Sequence, residues 1–113
     1  MKRGDVWLAN LEPRFGREPG KTRPVLVIQA QVLIDAEYST TLIVPLTRQL
    51  IDDAEPLRIR VPACGRLRRD SDLLIGQARA IDNRRLVQGP LVCLPGPLMA
   101  RVDEALREVF DLR

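Results

Sequence analysis

The sequence contains no histidine, and only two of its 113 residues are cysteine. Without imidazole, a Ser-His-Asp triad, a Cys-His pair and every histidine-based metal site are excluded. Cys64 and Cys93 are too few for a four-cysteine zinc site, and we expect both to be reduced thiols. The carboxylates are scattered, so little supports a bound Mg²⁺. We therefore predict no metal and no cofactor, and any catalysis would rely on other side chains, among which arginine is abundant.

Long apolar runs are also missing, so no segment has the length needed to span a membrane. The first residues, Met1 to Asp5, are charged and lack the apolar stretch of a signal peptide. Apolar residues make up 45% of the chain, which is enough for a hydrophobic core. We expect one cytoplasmic domain that covers residues 1–113.

The net charge of +3 is unevenly distributed. Residues 58–85 contain eight arginines and three aspartates, and residues 1–23 contain six basic and three acidic residues. The segment between them, residues 24–57, has one arginine and five acidic residues. If the two basic segments meet in space, the resulting surface would attract phosphate groups; otherwise they are solvated loops.

Short apolar segments at regular spacing predict a mainly β protein. They lie at residues 6–9 with Leu11, 24–29, 40–45, 57–61, 73–75 and 91–94. Pro45 lacks an N–H group, so we expect its strand to end there or to lie at a sheet edge. Residues 97–110 repeat apolar side chains at helical spacing and predict an amphipathic helix. These elements indicate a small, curved sheet or barrel with a terminal helix.

Four segments of this chain resemble the MazF/PemK family of toxin–antitoxin ribonucleases. They match in order and with compatible spacing over nearly the whole chain. The segments are Arg3-Gly4-Asp5-Val6-Trp7, Gly20-Lys21-Thr22-Arg23-Pro24-Val25-Leu26-Val27, Val44-Pro45-Leu46-Thr47, and residues 70–82 followed by Arg85-Leu86.

The resemblance implies an SH3-like β-barrel of the CcdB/MazF type with a C-terminal helix. It implies a homodimer that cleaves single-stranded RNA at short sequence motifs without a metal. It also implies a cognate antitoxin, whose acidic tail would block the RNA groove.

By position within these motifs, the resemblance implies that Arg23, Thr47 and Glu18 are catalytic. It places Gln77, Arg79 and Arg85 near the RNA path. The chain carries its own residues at variable positions of the loop before the second strand, which we expect to influence RNA selection. These are Arg14, Phe15 and Lys21.

RNA carries its own nucleophile, because its 2′-hydroxyl can attack the adjacent phosphorus and leave a 2′,3′-cyclic phosphate and a 5′-hydroxyl. Arginine has a pKa above about 12, so we prefer Arg23 as a phosphate clamp and proton donor over a role as the base, although the sequence does not decide between Arg23 and Glu18 as the base. Thr47 would donate its hydroxyl to a phosphoryl oxygen. Glu18 is then the better candidate for the base.

Three alternatives remain open at this point. Arg23 could be a structural partner of Asp5 or Glu18 at a strand end. The chain could be a non-enzymatic gyrase poison of the same fold, like CcdB, or an SH3-like binding module.

Among the aromatic residues, Trp7 lies in an apolar run and is expected in the core, whereas Phe15 is the better candidate for stacking on a base.

Overall fold

The computed structural model describes residues 1–13, 15–18 and 21–113. Within these residues the chain forms seven strands and two helices. None of the described helices is long and apolar enough to cross a membrane. The strands are β1 (Asp5–Asn10), β2 (Thr22–Val27), β3 (Thr40–Thr47), β4 (Arg58–Val61), β5 (Ser71–Leu74), β6 (Arg79–Asp82) and β7 (Leu86–Cys93), and the helices are α1 (Gln31–Asp35) and α2 (Gly96–Phe110).

The strands form one curved antiparallel sheet in the order β4-β5-β3-β2-β1-β7, and β6 pairs with the first half of β3. The connection between β4 and β5 folds back onto the other end of the sheet. There, the Arg66 N–H donates to the Leu91 carbonyl at 2.9 Å, and the Arg66 guanidinium donates to the Pro90 carbonyl at 2.7 Å. These bonds draw the two ends of the sheet together into a barrel-like shape, which confirms the predicted fold class.

The larger hydrophobic core lies between the inner face of this sheet and α2. It includes Leu26, Val44, Leu46 and Leu73 from the sheet, and Val102 from the helix. Helix α2 begins with Pro97 in its first turn, where a missing N–H costs nothing. The observed helix begins only one residue before the predicted range of 97–110. The prediction is this close because a helix that packs one face on the core repeats its apolar side chains at helical spacing.

A second, smaller core lies on the opposite sheet face. It consists of Ala9, Leu11, Val25, Ile43 and Ile81. Trp7 packs against this cluster as expected, with its indole lying so close to Gly89 that a Cβ there would be 2.3 Å from the ring. Leu11 begins the connection to β2 and is fully buried, so this connection starts on the outer face of the sheet.

The expectation that Pro45 ends a strand or lies at an edge was wrong, because β3 continues through it to Thr47 in the middle of the sheet. The backbone groups of Leu42 point toward the chain that includes β2, because the Leu42 carbonyl accepts from the Ile28 N–H. Alternation along the strand turns Pro45 toward the opposite side. On that side, β6 pairs with β3 only as far as Ile43, and the pairing of β5 with β3 begins at Leu46. Pro45 therefore lies in the gap between the two partner strands.

Candidate active site

The register of β2 and β3 brings the first two predicted catalytic residues together. Val25 pairs with Pro45, and residues two apart along a strand share a face. Extending that register by two residues therefore places Arg23 opposite Thr47 on the outer face. Arg23 is half-buried beside Ala9 of β1, and Thr47, the last residue of β3, is buried.

Arg23 and Thr47 line a groove of about 660 Å³ at the open end of the barrel, called the mouth groove here. Its apolar lining comes from the strand ends and from Leu67. Among the described residues that line it, six are cationic and none is acidic. The cationic residues are Lys21, Arg23, Arg48, Arg66, Arg68 and Arg69; the polar ones are Thr22, Thr47, Gln49 and Ser71; the apolar ones are Leu8, Pro24, Leu46, Leu67 and Leu91.

The Thr47 hydroxyl is oriented by the turn that follows β3. The Gln49 N–H donates to Thr47 Oγ1 at 3.2 Å. Because the oxygen already accepts this bond, the hydroxyl proton is directed away from the turn and can be donated to a ligand. The geometry thus favours Thr47 as a hydrogen-bond donor in the mouth groove.

That turn is held in place by Asp72, which pairs with Thr47 in the β3–β5 ladder. The Asp72 side chain is only 1% exposed and accepts from Arg60 Nε at 2.6 Å, from Arg58 Nη1 at 3.2 Å and from the Ile51 N–H at 2.9 Å. Arg58 also donates to the Gln49 carbonyl at 2.8 Å. This network links the buried carboxylate to the turn that orients Thr47.

Burial alone would raise the pKa of Asp72, but the hydrogen bonds from Arg60, Ile51 and Arg58 outweigh it and hold this pKa below its usual value. Arg60 donates to Asp72 and also to Asp52, the latter at 2.8 Å, and these hydrogen bonds raise the pKa of Arg60. Asp72 and Arg60 are therefore both ionised at neutral pH.

Glu18, the third predicted catalytic residue, lies in the connection between β1 and β2. Its carboxylate forms an ion pair with Arg79 at 3.2 Å, and the two side chains are 49% and 30% exposed. Arg79 pairs with Ile43 of β3, so it shares the outer face with Arg23 and Thr47. Ile43 is four residues before Thr47, a distance of about 13 Å along the strand. The structure therefore places Glu18 beside Arg79, on the same face but outside the lining of the mouth groove.

The remaining predicted RNA-binding residues are spread over several places. Lys21 is exposed in the mouth groove, and Phe15 is 73% exposed on the connection to β2. Arg85 donates to the carbonyls of Asn10 and Glu12, so it supports the start of that connection. Gln77 lies in a 3₁₀ turn, and its Oε1 is buried without a partner among the described residues. Arg14 lies outside the described residues.

Sequence reasoning did not identify the part of the mouth groove that the β4–β5 connection supplies. Arg68 and Arg69 line the groove there, while Ser71 of β5 and Arg48 and Gln49 after β3 line it beside Thr47. The basic run over residues 58–85 was a signal for this contribution. It did not distinguish the arginines, because their positions depend on how the β4–β5 connection folds across the barrel.

In the part of the chain that the structure describes, no three Cys, Asp or Glu side chains form a group that could hold a metal ion. Both cysteines are free thiols, as predicted. Burial, helped by the nearby Asp5, raises the pKa of Cys93.

Comparison with known proteins matches residues 2–110 to the family of PemK-like, MazF-like toxins of type II toxin–antitoxin systems. The chain is 40% identical over 109 residues to endoribonuclease EndoA of Bacillus subtilis. The aligned region covers 95% of this chain and 91% of that protein.

Solved structures share the fold at lower identity. MazF (form I) of Deinococcus radiodurans superimposes with a TM-score of 0.82 at 21% identity, covering 99% of this chain and 97% of that one. A MazE–MazF structure (form II) from the same organism gives a TM-score of 0.77 at 21% identity, covering 100% and 97%. The family match and the 40% identical relative confirm the resemblance and do not favour the CcdB-like alternative: the chain belongs to the PemK-like, MazF-like toxin family of type II toxin–antitoxin systems.

Proposed function

We propose that this protein is a cytoplasmic, sequence-selective endoribonuclease toxin that cleaves single-stranded RNA without a metal. The observation that carries the proposal is the meeting of Arg23 and Thr47 at the wall of a cationic groove. A groove with six cationic side chains suits a polyanionic strand. The matched relative EndoA is named an endoribonuclease, which supports the same activity here.

In the proposed chemistry, the 2′-hydroxyl attacks the neighbouring phosphorus and the bond from phosphorus to the 5′-oxygen breaks. The leaving 5′-oxygen takes up a proton from Arg23, so that a 2′,3′-cyclic phosphate and a 5′-hydroxyl result. The planar guanidinium of Arg23 binds the phosphoryl oxygens and neutralises their charge. Thr47 donates its hydroxyl to the same group, because Gln49 already occupies its oxygen.

A base must accept the proton of the 2′-hydroxyl, and we assign this role to Glu18. The carboxylate is half-exposed in its ion pair with Arg79, at a level of the sheet about 13 Å along β3 from Thr47, so Glu18 must leave this pair and move toward the mouth groove to reach the ribose. An exposed ion pair of this kind is worth only about 0–1 kcal/mol, so breaking it is a small barrier. The proposed RNA path is completed by the other predicted RNA-binding residues, which are Gln77, Arg79, Arg85, Phe15, Lys21 and Arg14.

We also propose a homodimer and a cognate antitoxin as partners. The solved MazE–MazF structure from Deinococcus radiodurans has the fold of this chain. The cationic mouth groove fits an acidic antitoxin segment that would compete with RNA for the same charges.

The test is cleavage of a long, mostly single-stranded RNA in EDTA, with the fragment ends mapped. The wild type should give discrete cuts with 5′-hydroxyl ends. Arg23→Ala and Thr47→Ala should each lower the rate by about 10²–10³, the usual effect of removing one transition-state donor. Arg107→Ala is the matched control, because the Arg107 side chain bonds only to Glu104 of α2 among the described residues.

The outcomes separate the parts of the proposal. Full activity in both variants would refute the site, and loss of activity in EDTA would refute the metal-free mechanism. If the folded wild type cuts none of several RNAs, the nuclease assignment itself is wrong.

A further inference from the structure

The eight arginines of residues 58–85 form two groups, which differ in whether their side chains have a partner among the described residues. Six of them have side-chain partners within the chain. Arg58 and Arg60 bind Asp72, and the others bind carboxylates or backbone carbonyls; these are Arg66, Arg79, Arg84 and Arg85. Arg68 and Arg69 have no side-chain partner among the described residues, and both line the mouth groove.

The connection that carries Arg68 and Arg69 is built to present them. Cys64 and Leu67 exchange two backbone hydrogen bonds of 2.9 Å, and Leu67 is buried in the larger core at 4% exposure. Gly65 has a φ of +54°, and a Cβ there would lie 3.0 Å from the Leu91 carbonyl oxygen. The position therefore requires glycine, and the connection is fixed against β7.

The one acidic residue of this connection does not neutralise the arginines. Asp70 Oδ1 accepts from the Ala63 N–H at 2.8 Å and so closes the connection at its base. Arg68 and Arg69 are both exposed. Displaying two unpaired guanidinium groups on a fixed connection has no evident structural benefit, whereas it creates a site for two anionic groups.

We propose that Arg68 and Arg69 bind two backbone phosphates of the RNA strand in the mouth groove, whose lining also includes Arg23 and Thr47. This inference rests on the proposed function. Phosphate contacts position a strand and do not read its sequence, so the two arginines set the affinity and its salt dependence. They act on binding, and the chemical step remains with Arg23 and Thr47.

The test measures RNA binding without cleavage. The probe is a fluorescein-labelled, single-stranded 2′-O-methyl RNA of mixed sequence, about 12 nucleotides long, which lacks the nucleophile. Its Kd is measured between about 0.05 and 1 M salt for the wild type and for Arg68→Gln/Arg69→Gln. Each single-strand phosphate contact contributes about 0.7 to the slope of log K against log salt.

We expect the double variant to lose about 1.4 from that slope, which corresponds to roughly 25-fold weaker binding at 0.1 M salt that converges on the wild type near 1 M. Arg68→Lys/Arg69→Lys should keep the slope because it keeps both charges. Arg101→Gln/Arg107→Gln removes the same net charge from α2 and should also keep it. In cleavage assays the KM should rise while kcat stays within about twofold, since the reacting groups are intact.

A slope equal to that of the α2 control would overturn the inference. So would unchanged RNA binding combined with lost binding of a poly-glutamate peptide, which would assign Arg68 and Arg69 to an acidic protein segment. Cleavage of natural RNA by the wild type is scored separately. Cleavage with an unchanged slope refutes only the phosphate site, and a reduced slope without any cleavage refutes only the nuclease.

Discussion

Replacing Asp72 by asparagine isolates the charge of the network behind Thr47, because the two side chains have nearly the same shape. Oδ1 of Asp72 accepts from Arg60, and Oδ2 accepts from Arg58 and the Ile51 N–H. An asparagine keeps one of these oxygens as an acceptor and replaces the other with an NH₂ group. That NH₂ group then faces the donors from which the lost oxygen accepted. At least one charge-assisted hydrogen bond is therefore lost, and two arginines lose their buried counter-charge.

The magnitude follows from these contacts. Removing one partner of a fully buried ion pair costs about 3–5 kcal/mol. The Arg58 and Arg60 side chains are 21% and 37% exposed, so water takes over part of their solvation. We therefore expect Asp72→Asn to lower the free energy of unfolding by about 2–3 kcal/mol. For a domain of this size that is a fall in Tm of roughly 8–12 °C.

The assay is equilibrium unfolding in urea at a fixed protein concentration, with Asp52→Asn as the matched control. Asp52 binds the same Arg60 at 2.8 Å, but its side chain is 81% exposed. Such a surface pair contributes at most about 1 kcal/mol. Equal, small losses in both variants would refute the reasoning that burial makes the Asp72 charge important.

The pH dependence gives a second check on the same variant. The pKa of Asp72 is lower in the folded protein than in the unfolded chain. Its contribution to stability is therefore present above about pH 4 and is lost as the pH falls through the folded pKa. The difference between wild type and Asp72→Asn should shrink in that range, and a difference that stays constant down to about pH 2 would exclude an ionic origin.

Three further predictions address other parts of the molecule. Gly89→Ala should destabilise the fold by about 1–3 kcal/mol in urea unfolding, because the new methyl group would lie 2.3 Å from the Trp7 ring; an unchanged midpoint would contradict that packing. Glu18→Gln should lower the cleavage rate far more than Arg79→Gln, since only Glu18 is assigned as the base; equal losses would reduce Glu18 to an ion-pair partner. The pKa of Asp82, held at about 2 by the Arg84 side chain and N–H, should appear in NMR titration and return toward its ordinary value in Arg84→Ala.

The sequence predicted the elements that have a clear periodicity and missed those that do not. Strands β1 to β5 and helix α2 overlap the segments predicted from alternation or helical spacing, although β2 and β5 each begin two residues earlier than predicted. Helix α1 has five residues, no buried side chain and no side-chain cap, so no local pattern marks it. Strand β7 extends back to Leu86 through Gln88, Gly89 and Pro90, which read as a turn when taken alone. Its pairing with β1 stabilises this segment from outside.

The same division holds for the candidate site. Arg23 and Thr47 could be predicted because each lies in a short motif, and the β2–β3 register then brings the motifs together. The position of Arg68 and Arg69 in the mouth groove depends on bonds from Arg66 to Leu91 and Pro90, which are more than 20 residues away along the chain. No local pattern encodes such a contact, so its residues could not be selected in advance.

Charge counted along a sequence differs from charge presented at a surface, and the arginine-rich segment shows how large the difference is. Taken by composition, residues 58–85 indicate a broad basic face. In the fold, Asp72 alone binds two of its arginines, and backbone carbonyls bind Arg66 and Arg85. What remains for a ligand is a narrow pair, Arg68 and Arg69, on a connection fixed by Gly65 and Leu67. A long polyanion would therefore meet charge at the mouth groove, where Arg23 and Thr47 lie, and its binding there would place the backbone beside the residues proposed to cut it.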